Sequence, residues 1–188
     1  MKREDIAAKM LSAAKELVHT HGYEAITVRE VAKRSGCTYP LLYHYYHDLE
    51  GFLWKLRIDM MEDMIRELEV PRGAPAEPLR AALLRYTAYF LDHPNVYRFF
   101  YFRSFKRPEA SDDYAAVESR IVRMRTQYFA DFYASRGHPP LSAERVAKTV
   151  VFAIHGILTL TFSANGEMDR EAAFREENEL LDHLLGKS

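Results

Sequence analysis

A chain of 188 residues with 48% hydrophobic and 13% aromatic side chains has enough apolar surface for a buried core. That excludes an intrinsically disordered protein and leaves room for one domain or two small ones. Lys and Arg number 26 against 27 Asp and Glu, a net charge of −1, so no strong basic field exists to hold a polyanion by charge alone.

The charged start, Met1 to Asp5, leads straight into a helical pattern, so no secretory signal is expected and a cytoplasmic location is. The single cysteine, Cys37, forms no intrachain disulfide, which fits a reducing compartment. Its place in a turn suggests a small buried hydrophobe before a redox sensor. A first helix is expected over residues 4–21, with Ile6, Met10, Ala13, Ala14, Leu17 and Val18 on one stripe and Gly22 ending it.

Residues 26–50 read as two short helices joined by a tight turn. Thr27 is placed to cap the first, and Glu30 three residues on completes a capping box. Val28, Val31 and Ala32 share an apolar face, while Arg29, Lys33 and Arg34 stay polar. Gly36 closes the helix, Thr38 caps the next, and Pro40 falls in its first turn, where proline costs no hydrogen bond. Leu42, Tyr45 and Tyr46 are expected to pack inward and Tyr39, Leu41, Tyr43 and His44 to face out. This is a helix-turn-helix.

A long helix follows from the Asp48 cap to about Val70, with Leu53, Leu56, Met60, Met64 and Leu68 in register. Pro71 to Pro78 is a loop. Leu79 to Asp92 makes a helix with Leu83, Tyr86 and Phe90 aligned. His93-Pro94 interrupts it, and an aromatic-rich helix runs on through Phe102. After a polar loop, Arg107 to Asp113, a helix from about Tyr114 to Arg136 carries Val117, Ile121, Met124, Tyr128 and Phe132, and Gly137 to Pro140 stops it.

The next helix, about Ser142 to Ala164, is apolar nearly all round from Val150, a run too short to span a bilayer. The simplest second cover for it is another subunit. Asn165-Gly166 ends it, and a last helix, Arg170 to Leu185, places Phe174, Leu181, Leu184 and Leu185 on a face opposite acidic residues. No strand pattern, repeat or low-complexity tract occurs.

The order of residue types in Thr27-Val28-Arg29, Val31-Ala32, Gly36-Cys37-Thr38 and Leu42-Tyr43-x-Tyr45-Tyr46 resembles the DNA-binding signature of the TetR family of bacterial repressors, over roughly residues 6–56. The resemblance implies an all-α fold of about nine helices. Residues 1–50 would form a three-helix DNA-binding head, and residues 51–188 a larger domain for effector binding and dimerisation. It further implies a homodimer on a palindromic double-stranded operator, released when a small molecule binds. By position in the family motif, Thr27, Thr38 and Tyr43 are expected at phosphates and Arg29 at a base edge. Tyr39, Pro40, Leu41 and His44 are expected on the groove face. One departure stands out: Leu49 occupies the place where the family commonly has a phosphate-contacting lysine. Residues 1–57 carry nine basic against seven acidic side chains, so a protein-interaction or co-regulator module with little DNA affinity is the alternative.

For the controlling half, Tyr86, Phe90, Phe100, Arg103, Tyr128, Phe132, Phe152 and His155 lie on faces that could converge on an apolar cavity for a hydrophobic or aromatic ligand. Thr149, Ala153, Gly156, Leu160, Phe174, Leu181 and Leu184 are the expected dimer surface. No cofactor, metal set or membrane association is expected. His44 and His47 have no third ligand near them, and no phosphate-cradling loop or nucleophile elbow occurs, so the chain reads as a non-enzyme.

Overall fold

The computed structural model describes residues 3–69, 78–106, 112–137, 143–163, 166 and 168–185. Among these the chain is helical throughout: α1 Arg3–His21, a short 3-10 turn Tyr23–Ala25, α2 Val28–Ser35, α3 Tyr39–Tyr46, α4 Leu49–Leu68, α5 Pro78–Asp92, α6 Pro94–Tyr101, α7 Asp112–Ser135, α8 Ala143–Phe162 and α9 Arg170–Leu185. The long helices begin and end within two residues of their expected bounds. The expected loop residues 71–77, 107–111 and 138–140, the opening Ser142 and the stop at Asn165 lie outside the described residues.

Two compact units form, one from residues 1–67 and 93–117, the other from 68–92 and 118–188. Helices α4 and α7 each supply residues to both. This division follows packing and differs from the functional one drawn at residue 50.

In the first unit α1 packs on α2 and on α6, and α2 on α3. The stripe read from the sequence supplies this core: Met10, Ala14, Leu17, Val18, Val31 and Leu42 are essentially inaccessible. Each such aliphatic side chain removed from water contributes about 1.5–3 kcal/mol. Polar groups fix the register. Lys15 on α1 reaches both Asp59 and Asp63 of α4 at 2.5 Å, and the Asn95 amide donates to the His19 carbonyl at 3.1 Å.

In the second unit α8 packs on α5 and α9, and α5 on α9. The buried positions of α8 are Ala143, Ala147, Val150, Ile154 and Leu158, a single stripe at three- and four-residue steps. Val151 faces a cavity and His155 faces Tyr86; the solvent side is charged at Glu144, Arg145 and Lys148 and turns apolar only further along. Phe152 is 71% exposed and Leu160 37%. At 20 residues α8 is, by length and composition alone, long and apolar enough to cross a membrane. A core helix of a water-soluble protein meets the same criteria.

Candidate nucleic-acid interface and ligand cavity

The reading head starts at Thr27, whose extended backbone (φ −124°, ψ 155°) and hydroxyl, accepting from the Glu30 N–H at 3.2 Å, cap α2. Only half of the expected capping box forms. The Glu30 carboxylate turns instead to the Arg34 guanidinium one turn on, at 2.9 Å, which holds its acid below the usual range. Gly36 sits at φ 66°, a left-handed conformation that costs glycine nothing. The Cys37 thiol is half-buried against the Ser35 carbonyl at 3.6 Å.

Helix α3 opens at Thr38, whose backbone is extended but whose hydroxyl makes no capping bond. Leu42 points into the core at 1% exposure. On the opposite side Tyr39 (59%) and Tyr43 (47%) stand in solvent. Thr38, Pro40 and His44 are exposed with them, as are Thr27 and Arg29, and Leu41 is half-buried beside them. The face carries no acidic side chain. Tyr46 anchors the other flank. Its ring meets Phe52 edge-on at 5.0 Å, and burial pushes its hydroxyl up to about 12.

The exit from α3 is tight. His47 adopts φ 65°, the non-glycine residue with positive φ among those described. Asp48 then caps α4, its Oδ1 accepting from the Gly51 N–H at 2.7 Å. A Cβ at Gly51 would lie 2.5 Å from the Tyr46 carbonyl oxygen, so only glycine lets α4 start this close to the end of the reading helix.

The second unit holds an apolar cavity of about 90 Å³ between α5, α7 and α8, walled by Leu83, Met124, Phe129 and Val151, with Tyr86, Tyr128 and Arg125 as its polar groups. A second cavity, about 300 Å³, adjoins it and is lined by Phe132, Asp131, Ser135 and Arg136; Leu79 and Tyr128 border both. The Tyr86 hydroxyl lies 3.0 Å from His155 Nε2. Burial drives His155 down to about 4, so at neutral pH its imidazole is uncharged and orients the tyrosine.

Of the expected ligand residues, Tyr86, Tyr128 and Phe132 line these cavities, and His155 touches Tyr86 without lining either. Four require correction. Phe90, fully buried, stacks edge-on behind Tyr86 at 5.0 Å. Phe100 is 5% exposed in the aromatic core of the first unit. Arg103 is held there by Glu50 at 2.5 Å and lies over Phe105. Phe152 points outward.

The expected dimer residues divide similarly. Thr149, Gly156 and Leu160 are exposed along α8, and Ala153, Phe174 and Leu184 are half-buried. Leu181 is the correction: at 0% exposure it lies on the buried stripe of α9, within its own protomer. Three features escaped the sequence reading. Arg125 lies on the cavity wall, and its Nε is buried without a hydrogen-bond partner. Thr87 and Glu177 are both 0% exposed inside the second unit. Burial lifts the Glu177 carboxyl to about 7. Thr87 lies near enough to favour the ionised form, yet neither group gains a satisfactory hydrogen bond.

This architecture has many relatives. The family model described as bacterial regulatory proteins, tetR family, matches residues 10–53, and one described as tetracyclin repressor-like, C-terminal domain, matches residues 79–185. The HTH-type transcriptional regulator BetI of Burkholderia thailandensis is 24% identical over 190 residues, covering 97% of this chain and 95% of that protein. Among solved structures, a TetR transcriptional regulator from Rhodococcus sp. RHA1 superposes with a TM-score of 0.63 at 20% identity, covering 98% of each chain. The transcriptional regulator FadR from Bacillus subtilis, solved in complex with stearoyl-CoA, gives 0.69 at 17% identity, over 96% of this chain and 99% of that one. A helix-turn-helix with a solvent-facing second helix, and a separate helical unit matched along nearly all its length, lead to one assignment: the chain belongs to the TetR family of transcriptional regulators.

Proposed function

We propose that this regulator is a repressor that binds a palindromic operator as a homodimer and is released by a hydrophobic or aromatic small molecule held in the second unit. The observation that carries the reading is the outer face of α3. Two tyrosines, Tyr39 and Tyr43, stand exposed where a soluble protein gains nothing by exposing them, on a helix of the dimensions a major groove admits. In this reading Thr27, Thr38 and Tyr43 hold phosphates, Arg29 reads a base edge, and Tyr39, Pro40, Leu41 and His44 line the groove. The uncovered apolar face of α8 supports dimerisation, since a second copy would remove Phe152 and Leu160 from water. FadR, solved in complex with stearoyl-CoA, supports response to a small-molecule effector. Helices α4 and α7, contributing to both units, give a route by which an effector shifts the balance between DNA-competent and incompetent forms. Action in the cytoplasm, without catalysis or a cofactor, completes the proposal.

Selection of bound sites from random duplex DNA tests it. The expected product is an inverted repeat with half-sites about 34–36 Å apart, bound less tightly as salt rises. Leu49, an apolar residue at the first position of α4, favours a second reading in which the head binds another protein. That reading predicts no enriched duplex at any salt concentration.

A further inference from the structure

We propose that the cavity between α5, α7 and α8 selects a small apolar monocarboxylate, with its carboxylate on Arg125; this rests on the reading of that cavity as the effector site. Among the described residues that line the cavity, Arg125 carries the one charged side chain. A guanidinium stays ionised at any relevant pH and offers five donors. Here its Nε is cut off from water and has no acceptor. Glu144, whose carboxylate feels Arg125 only weakly, is committed to Lys148 at 3.0 Å. An unpaired buried donor is costly unless a partner arrives. A carboxylate supplies two acceptors in the planar geometry that matches the fork.

The remaining wall defines the rest of the ligand. Leu68, Leu83, Met124, Phe129 and Val151 offer only apolar contact, the Tyr86 hydroxyl is occupied by a neutral His155, and Tyr128 adds one neutral hydroxyl. No second positive charge is among the described residues that line the cavity, so a dianion would leave one charge uncompensated out of water. The volume of about 90 Å³ is below that of an engineered cavity that takes up benzene, roughly 150 Å³. The small cavity therefore takes the carboxylate and the first carbons of a chain, and the adjoining cavity, which shares Leu79 and Tyr128 with it, takes the rest. An unbranched six-carbon acid is the natural probe.

The test compares hexanoate, 1-hexanol and hexylamine, which share one apolar body and differ in head charge, by calorimetric titration of the full-length protein. Hexanoate is expected to bind roughly tenfold or more tightly than hexanol, as a charge-assisted hydrogen bond implies, and hexylamine most weakly. In Arg125→Met the hexanoate advantage disappears while hexanol is retained. In Arg125→Lys, which keeps the charge but not the fork, an intermediate preference remains. Circular dichroism checks that both variants fold. A hexanoate preference that survives in Arg125→Met overturns the proposal, as does wild-type protein that binds hexanol as well as or better than hexanoate. Ala82→Phe, which fills the cavity, separates the two levels of the argument. Hexanol binding that this variant abolishes, without hexanoate preference, refutes the anion and keeps the effector site. Absence of binding by all three probes refutes both.

Discussion

Glu177→Gln should make the protein more stable at alkaline pH and leave it nearly unchanged in acid. Glu177 lies on α9 with 0% exposure, and burial, the largest influence, raises its carboxyl from an ordinary 4.5 to about 7. Thr87 and the more distant Arg80 pull the other way without restoring it. Arg80 is already engaged by Asp182 and by Asn178 at 2.8 Å. Below pH 4.5 the group is protonated in folded and unfolded chains alike and adds no ionisation cost. As pH rises from 4.5 to 7 the unfolded chain releases the proton while the folded one retains it, so stability falls. Above 7 the full cost is present. At 1.36 kcal/mol per pH unit that cost is about 3 kcal/mol. Glutamine never ionises, so the variant should gain about that much at pH 8.5, or a rise of roughly 6–12 °C in Tm for a chain this size. At pH 4.5 the two proteins should melt within a few degrees of each other. Urea or thermal unfolding of both proteins at the two pH values reads the difference directly. A stability difference that is the same at both pH values would show that Glu177 titrates normally and that the argument from burial is wrong.

Gly51→Ala forces a Cβ to within 2.5 Å of a backbone oxygen; overpacking of this kind costs about 1–3 kcal/mol. Thermal unfolding should record the loss, and a Tm equal to the wild type would mean that the α3–α4 turn relaxes freely. Phe152→Glu places a charge on the exposed apolar face of α8 and should convert a dimer to a monomer by sedimentation while helical circular dichroism persists. An unchanged sedimentation coefficient would remove α8 from the interface. Arg29→Ala should relax preference at one base position at a cost of about 1–3 kcal/mol; equal affinity of variant and wild type across operator variants would deny it a base contact.

The reading head was legible because its local chemistry and its packing agree. Thr27 and Gly36 mark the ends of α2 by backbone requirements that few other residues meet, and Val31 and Leu42 fall on the only faces that could be buried. Where packing decided alone, the sequence was ambiguous. Phe100 and Arg103 have the same aromatic and cationic character as cavity residues, yet their place depends on how α6 lies against α1, which no spacing reveals. Leu181 has interface character in sequence, but the stripe Ala173-Glu177-Leu181 turns inward. That stripe also held a signal that was passed over, a carboxylate flanked at four-residue steps by apolar residues. Arg125 gave a weaker one, four residues after Ile121 and beside Met124, all three half-buried. A charged residue on a fully buried stripe, as Glu177 is, is rare enough to mark a place where the fold tolerates a cost.

Leu79 and Tyr128 border both the small cavity and the larger one. In the proposed effector site Tyr128 is therefore the side chain whose truncation would open about 90 Å³ onto about 300 Å³. The range of compounds accepted there would then widen through a single codon while the helix-turn-helix stays untouched.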